Sequence, residues 1–199
     1  MAGPVSRKEI SHERIVEAAA RAIRREGYAG VGVADVMKEA GLTHGGFYAH
    51  FPSRDAMLAA AMERAGRDGA ARMAQSMARR RAEGASPLRA LVDSYLSEKM
   101  LVSCELGCPV SALASEMPRQ SAELREVSAV RVLGLVQAVR QVLPAGAGEH
   151  AAMAITSNLV GAMQLARALG DNAQGRQMLE AARKSILDQY DTEARQASH

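Results

Sequence analysis

Apolar positions recur at helical spacing along most of this chain, and the pattern predicts an all-α protein of about nine helices. Ile15, Val16, Ala19 and Ile23 define one face of a first helix at about 11–26, with Ser11 as its cap and Gly27 at its end. The residues before it, Met1 to Ile10, read as a flexible basic arm carrying Arg7 and Lys8. Val33, Val36, Met37 and Ala40 mark a second helix at about 33–40, closed by Gly41. A third, at about 43–50, has Thr43 as its cap and Phe47 and Phe51 turned inward. Pro52 then stops the chain, and Ser53 caps a long helix reaching to about Glu83, with Gly66 and Gly69 as weak points. Its stripe is Met57, Leu58, Ala61, Met62 and Ala65.

Gly84 to Pro87 is the clearest break in the pattern. Beyond it, Ser86-Pro87 opens a helix faced by Leu88, Leu91, Val92, Tyr95 and Leu96. Pro118 separates a short helix, Val110 to Glu116, from a longer one at about 119–143. Pro144 to Gly148 is a turn, and the last two helices fall at about 149–169 and 174–190. The first of these two carries apolar residues on more than one side, more than a surface helix needs.

The segment at 43–50 is poor helix by propensity. Gly45 and Gly46 each cost a helix roughly 1 kcal/mol against alanine. A helix–turn–helix supplies a reason for them. Its second helix enters the DNA major groove, where glycine lets the backbone approach closely and the N-terminus favours phosphate. On this reading Thr43 and His44 face base edges, Gly45 and Gly46 lie close to the DNA, and Tyr48 and His50 reach phosphate.

Charge agrees with that reading. The net charge is +3, and residues 1–83 hold 14 basic against 10 acidic side chains, whereas the remainder holds 11 against 12. A basic N-terminal part suits contact with phosphate. Hydrophobic residues make up 48% of the chain and aromatics 3%, which fits a globular, helical core built from aliphatic side chains. No apolar run is long enough to span a membrane, and the N-terminus lacks a signal-peptide pattern, so a soluble cytoplasmic protein without membrane contact is expected.

The stretch GLTHGGFYAHFPSRDAML resembles the helix–turn–helix and following helix of TetR/AcrR-type transcriptional regulators, within the subgroup that writes LTHGGFYAHF and later GCPV. The resemblance is close over about fifty N-terminal residues and holds only in outline beyond them. It implies a DNA-binding domain at 1–53 and a helical regulatory and dimerisation domain at 54–199, although the physical break lies nearer 84–87. It further implies that Arg54 sits at a phosphate-contacting position and that the helix after it acts as a lever. The last two helices would form a homodimer interface, and the partners would be a palindromic double-stranded operator and a small-molecule inducer. One departure is Gly32, where the family usually has Thr or Ser, so a side-chain phosphate contact is missing there.

Cys104 and Cys108 are the only cysteines, spaced CxxxC, and the five histidines are scattered, so neither a zinc site nor a CxxC redox motif is present. No metal or other cofactor is expected. Cys108 precedes Pro109 at a helix start, a place that favours a reactive thiol. The surrounding GCPV resembles NemR-like sensors, which implies that Cys108, with Cys104 four residues before it, responds to electrophiles or oxidants. Two other classes compete. A thiol-dependent redox enzyme would use Cys104 and Cys108, but there is no resolving motif, cofactor loop or catalytic grouping to serve it. A helical interaction module without DNA leaves Gly45 and Gly46 unexplained.

Overall fold

A computed structural model describes residues 6–144 and 146–191. Among the described residues there are nine α-helices and three short 3₁₀ segments, and no strand. The all-α expectation holds.

Helix α1 (Arg7–Gly30) begins earlier than the spacing predicts. Ser6 and Glu9 form a reciprocal capping box, the Glu9 N–H donating to Ser6 Oγ at 3.2 Å and the Ser6 N–H to Glu9 Oε2 at 2.7 Å. That pair satisfies two end donors at once, a stronger start than Ser11 offers. Residues 6–10 are therefore cap and helix and no arm; the rest of the expected arm lies outside the described residues. Gly27 does break the helix, with φ 75°, but the chain resumes a turn through Gly30 because Tyr28, 1% exposed, is drawn into the core.

Helix α2 (Val33–Glu39) buries Val36 and Met37, and α3 (Arg54–Ala82) is capped by Ser53, whose Oγ accepts from the Ala56 N–H at 3.0 Å. After α3 come α4 (Pro87–Tyr95), capped by Ser86, and the unexpected short α5 (Glu98–Val102). Helix α6 (Pro109–Leu113) stops three residues before the expected Glu116, and a 3₁₀ turn at Met117–Arg119 follows. Helix α7 (Ala122–Val142), α8 (Glu149–Leu169) and α9 (Ala173–Tyr190) are the last of the described elements.

The chain divides into two compact units. The first takes the chain up to Asp68 together with Glu105–Ala129, and the second takes Gly69–Cys104 with the chain from Val130 onward. The core of the first unit contains Ile15, Ile23, Met37, Phe47, Met57, Leu58, Met62, Leu113 and Leu124, all essentially inaccessible. Each such side chain contributes about 1.5–3 kcal/mol on burial. Arg24 is buried among them and donates to the carbonyls of Ala65 at 3.3 Å and Gly107 at 3.5 Å.

In the second unit α8 and α9 pack along one another, burying Ile155, Leu159, Met163 and Ala166 on one and Leu179, Ala182, Ile186 and Leu187 on the other. Ion pairs fasten α9 to α4 and α5: Arg183 to Asp93 at 3.1 Å and Arg176 to Glu98 at 2.8 Å. Met153, Leu165 and Leu169 of α8 remain exposed. No helix among the described residues is long and apolar enough to cross a membrane.

Candidate nucleic-acid interface

Helix α2 ends in a turn whose backbone bonds are fully specified. Gly41 adopts φ 69°, its N–H donates to the Lys38 carbonyl at 3.0 Å, and the Leu42 N–H donates to the Met37 carbonyl at 2.9 Å. This is the paired bonding of a Schellman motif, which needs a left-handed residue at Gly41. The Arg14 guanidinium lies over that glycine, 2.5 Å from where a Cβ would stand.

The segment that follows, His44–Ala49, is a 3₁₀ helix and not the α-helix that the periodicity suggests. Two glycines in six residues weaken the α-helix. Thr43 occupies the cap position, but its hydroxyl makes no cap bond; the link is from the Gly46 N–H to the Thr43 carbonyl at 3.1 Å. The cap expected from the Thr43 side chain is therefore absent, and the hydroxyl is left for other partners.

Burial sorts the segment into two faces. Phe47 and Phe51 are buried and stacked at 5.9 Å, as their spacing predicts. Thr43, His44, Gly45 and Tyr48 are exposed, Tyr48 by 75%. Neither Gly45 nor Gly46 is in the left-handed region. A Cβ on Gly45 would meet nothing within 4 Å, and one on Gly46 would make only ordinary contact with Met37 at 3.8 Å and Thr43 at 3.9 Å. Nothing inside the chain requires these two glycines.

The remaining two expected contacts are held elsewhere. His50 is half-buried, its ring 6.1 Å from that of His12, which itself stacks on Phe51 at 4.6 Å. Burial first, then the neighbouring His12 and Lys8, push the His50 imidazole below its ordinary pKa, so it is neutral near pH 7. A neutral ring is a weak phosphate ligand. Arg54, expected at a phosphate, instead donates through Nε to the Val31 carbonyl at 3.0 Å and through Nη2 to the Tyr28 carbonyl. Its fork ties the end of α1 to the start of α3.

Sequence reasoning missed Arg14, which lies over Gly41, and Tyr28 and Glu116, which bond to each other at the end of α1. A tyrosine directly after a helix-ending glycine was the only local signal. At Gly32, the cap of α2, no side chain is available, and the Asp35 carboxylate lies 2.8 Å from where a Cβ would be. Cys104 and Cys108 are half-buried and in no disulfide, and Cys108 caps α6, its carbonyl accepting from Ser111 Oγ at 3.1 Å. Among the described residues no three His, Cys, Asp or Glu side chains group as metal ligands.

A helix, a glycine turn and an exposed second element on a three-helix support are the parts of a helix–turn–helix DNA-binding protein. Residues 15–61 match the family described as bacterial regulatory proteins, tetR family. A curated relative, an uncharacterized HTH-type transcriptional regulator of Mycobacterium tuberculosis, is 28% identical over 170 residues, covering 80% of this chain and 85% of its own. Among solved structures, a TetR family regulator from Cytophaga hutchinsonii superposes with a TM-score of 0.73 at 17% identity, covering 94% of this chain and 96% of that one. The reduced form of NemR from E. coli gives 0.71 at 18% identity, with 89% and 95% covered. These structures share the fold. The match to the tetR family rests on residues 15–61, and the curated relative is likewise an HTH-type transcriptional regulator. Its relatives are regulators and not enzymes, in keeping with the sequence.

Proposed function

We propose that the chain is a homodimeric repressor that binds a palindromic operator through the first 53 residues, while residues 54–199 carry regulation and dimerisation. The observation that carries this is the pair Gly45 and Gly46, glycines that no internal contact and no backbone angle requires. A close external surface accounts for them, and double-stranded DNA is the surface that the fold serves. Thr43 and His44 are assigned to base edges and Tyr48 to phosphate. His50 and Arg54 belong to the support of the reading segment, given the partners they have. The exposed Met153, Leu165 and Leu169 of α8 support the dimer. A repressor of this kind works in the cytoplasm.

Release from DNA is a two-state shift, and a tenfold loss of affinity takes only about 1.4 kcal/mol of preference for the non-binding state. The helix after the reading segment would act as the lever. The agent is a small ligand or an electrophile at Cys108, with Cys104 as a second thiol. The test is binding to DNA flanking the chain's own coding region, titrated against salt, with and without an electrophile. Tight binding that weakens with salt and survives competitor DNA supports the operator. Release by the electrophile, lost in Cys108→Ser, supports the thiol. Tight binding indifferent to thiol chemistry points to a pocket ligand instead. Absence of any selected sequence in a random-site selection sinks the DNA reading.

A further inference from the structure

Tyr28 is a joint at which three parts of the first unit meet. All of its polar groups are held. The Tyr28 N–H donates to Glu116 Oε2 at 2.9 Å, its carbonyl accepts from Arg54, and its hydroxyl is 3.1 Å from Ser128 Oγ. Ser128 gives its only proton to the Leu124 carbonyl at 2.7 Å, so the Tyr28 hydroxyl is the donor toward Ser128. Burial raises the pKa of that hydroxyl, which keeps it protonated.

Gly27 completes the joint. With φ 75° and no side chain, it leaves the space into which the Glu116 carboxylate reaches; a Cβ there would collide with both carboxylate oxygens. Three residues on from Tyr28, the Val31 carbonyl is fixed by the same Arg54 guanidinium. The stretch Tyr28–Val31 leads directly into α2, and α2 carries the reading segment on its Schellman turn. Where Tyr28 sits therefore sets where His44–Ala49 starts. Glu116 and Ser128 both lie far outside the 15–61 match.

We infer that Glu116 and Ser128 are positioning residues for DNA reading: they hold Tyr28, and through it the entry to α2, from a segment that touches no DNA itself. The inference rests on the operator-binding reading. It predicts that loosening Tyr28 lowers specific affinity while leaving non-specific affinity, which depends on phosphate alone, in place.

The experiment uses the full chain and an operator obtained by random-site selection. Affinity for that operator and for unrelated duplex DNA is measured across salt for wild type, Glu116→Ala, Glu116→Gln and Ser128→Ala, with amide exchange followed at Tyr28. Glu116→Ala is expected to lower operator affinity about tenfold or more and to speed Tyr28 amide exchange, with the salt slope unchanged. Unrelated DNA should bind as before. Glu116→Gln keeps an oxygen acceptor without the charge, and should stay within about threefold of wild type. Because that variant also removes the negative charge, it separates positioning from electrostatics. Ser128→Ala, which removes only a hydroxyl, should lose about two- to fivefold and carries the test if Glu116→Ala does not fold. Folded variants that exchange faster at Tyr28 yet bind operator as wild type does overturn the inference. So does an equal loss on operator and unrelated DNA, since that marks a mere loss of folded protein. If wild type itself selects no sequence, the DNA reading fails first, and the exchange data still report on the joint.

Discussion

Two pairs of glycines in the first unit are under opposite constraints. Gly27 and Gly41 stand at turns with φ of 75° and 69°, and a charged side chain occupies the place of the missing one in each case, Glu116 over the first and Arg14 over the second. Gly45 and Gly46 have ordinary backbone angles, and open space or loose contact where a Cβ would go. The first pair is explained by the chain's own geometry. The second is not, which is why it marks a surface meant for something else. A glycine is informative about function when the fold gives no reason for it.

The largest effect expected from this contrast is on stability at the turns. Gly27→Ala and Gly41→Ala each force a side chain into a left-handed position, and each should cost about 1–3 kcal/mol, visible as a fall of several degrees in thermal melting. Gly45→Ala should do the reverse. Alanine there relieves the propensity penalty, stabilising the fold by up to about 1 kcal/mol. On the proposed function it should also weaken operator binding by at least about tenfold, or about 1.4 kcal/mol. Opposite signs in the two assays at one position would be hard to reconcile with a purely structural glycine. A Gly45→Ala protein that melts higher and binds operator unchanged would remove the main support for DNA approach at this segment.

Arg54 sharpens the same division. A lysine keeps the charge but cannot bridge the Val31 and Tyr28 carbonyls. Arg54→Lys should therefore lower melting by a few degrees and weaken operator binding without changing its salt slope. A phosphate contact predicts instead that Arg54→Ala reduces the slope by about one. The smallest effect is on pH dependence. His50 titrates below its ordinary value of 6.5 in the folded chain, so the unfolded chain takes up that proton first. Stability should accordingly decline as pH falls through 6.5 toward the lower folded value, and His50→Gln should flatten that part of the melting profile. An unchanged profile in the variant would mean that the ring's burial has no energetic consequence.

Much of the fold could be read from local pattern. The stripe Met57, Leu58, Ala61, Met62 and Ala65 of α3 is the buried face as the spacing predicts, and the caps Ser53 and Ser86 stand where expected. What escaped was decided by competition or by distance. Ser11 looked like a helix start because the Ser6–Glu9 capping box lay inside an apparent arm. The 3₁₀ form of His44–Ala49 escaped because six residues are too few for periodicity to tell it from an α-helix, and Phe51 lies beyond its end. Tyr28 and Glu116 are 88 residues apart, and no local signal joins them. Arg54 showed its charge but not the carbonyls awaiting it. The oddity of Thr43 to Tyr48, two glycines within a short helical segment, was legible because it is local.

If this element reads DNA as proposed, its 3₁₀ form limits how much sequence it can inspect. Six residues rising about 2.0 Å each make a probe about 12 Å long, and base pairs are stacked about 3.4 Å apart, so one copy spans between three and four of them. Three residues per turn also place Gly45 and Tyr48 in line on the exposed side, leaving fewer distinct points of contact than length alone suggests. A word of three or four letters is common in any genome. On the proposed function, selectivity for such a reader has to come from pairing two words and from fixing the gap between them.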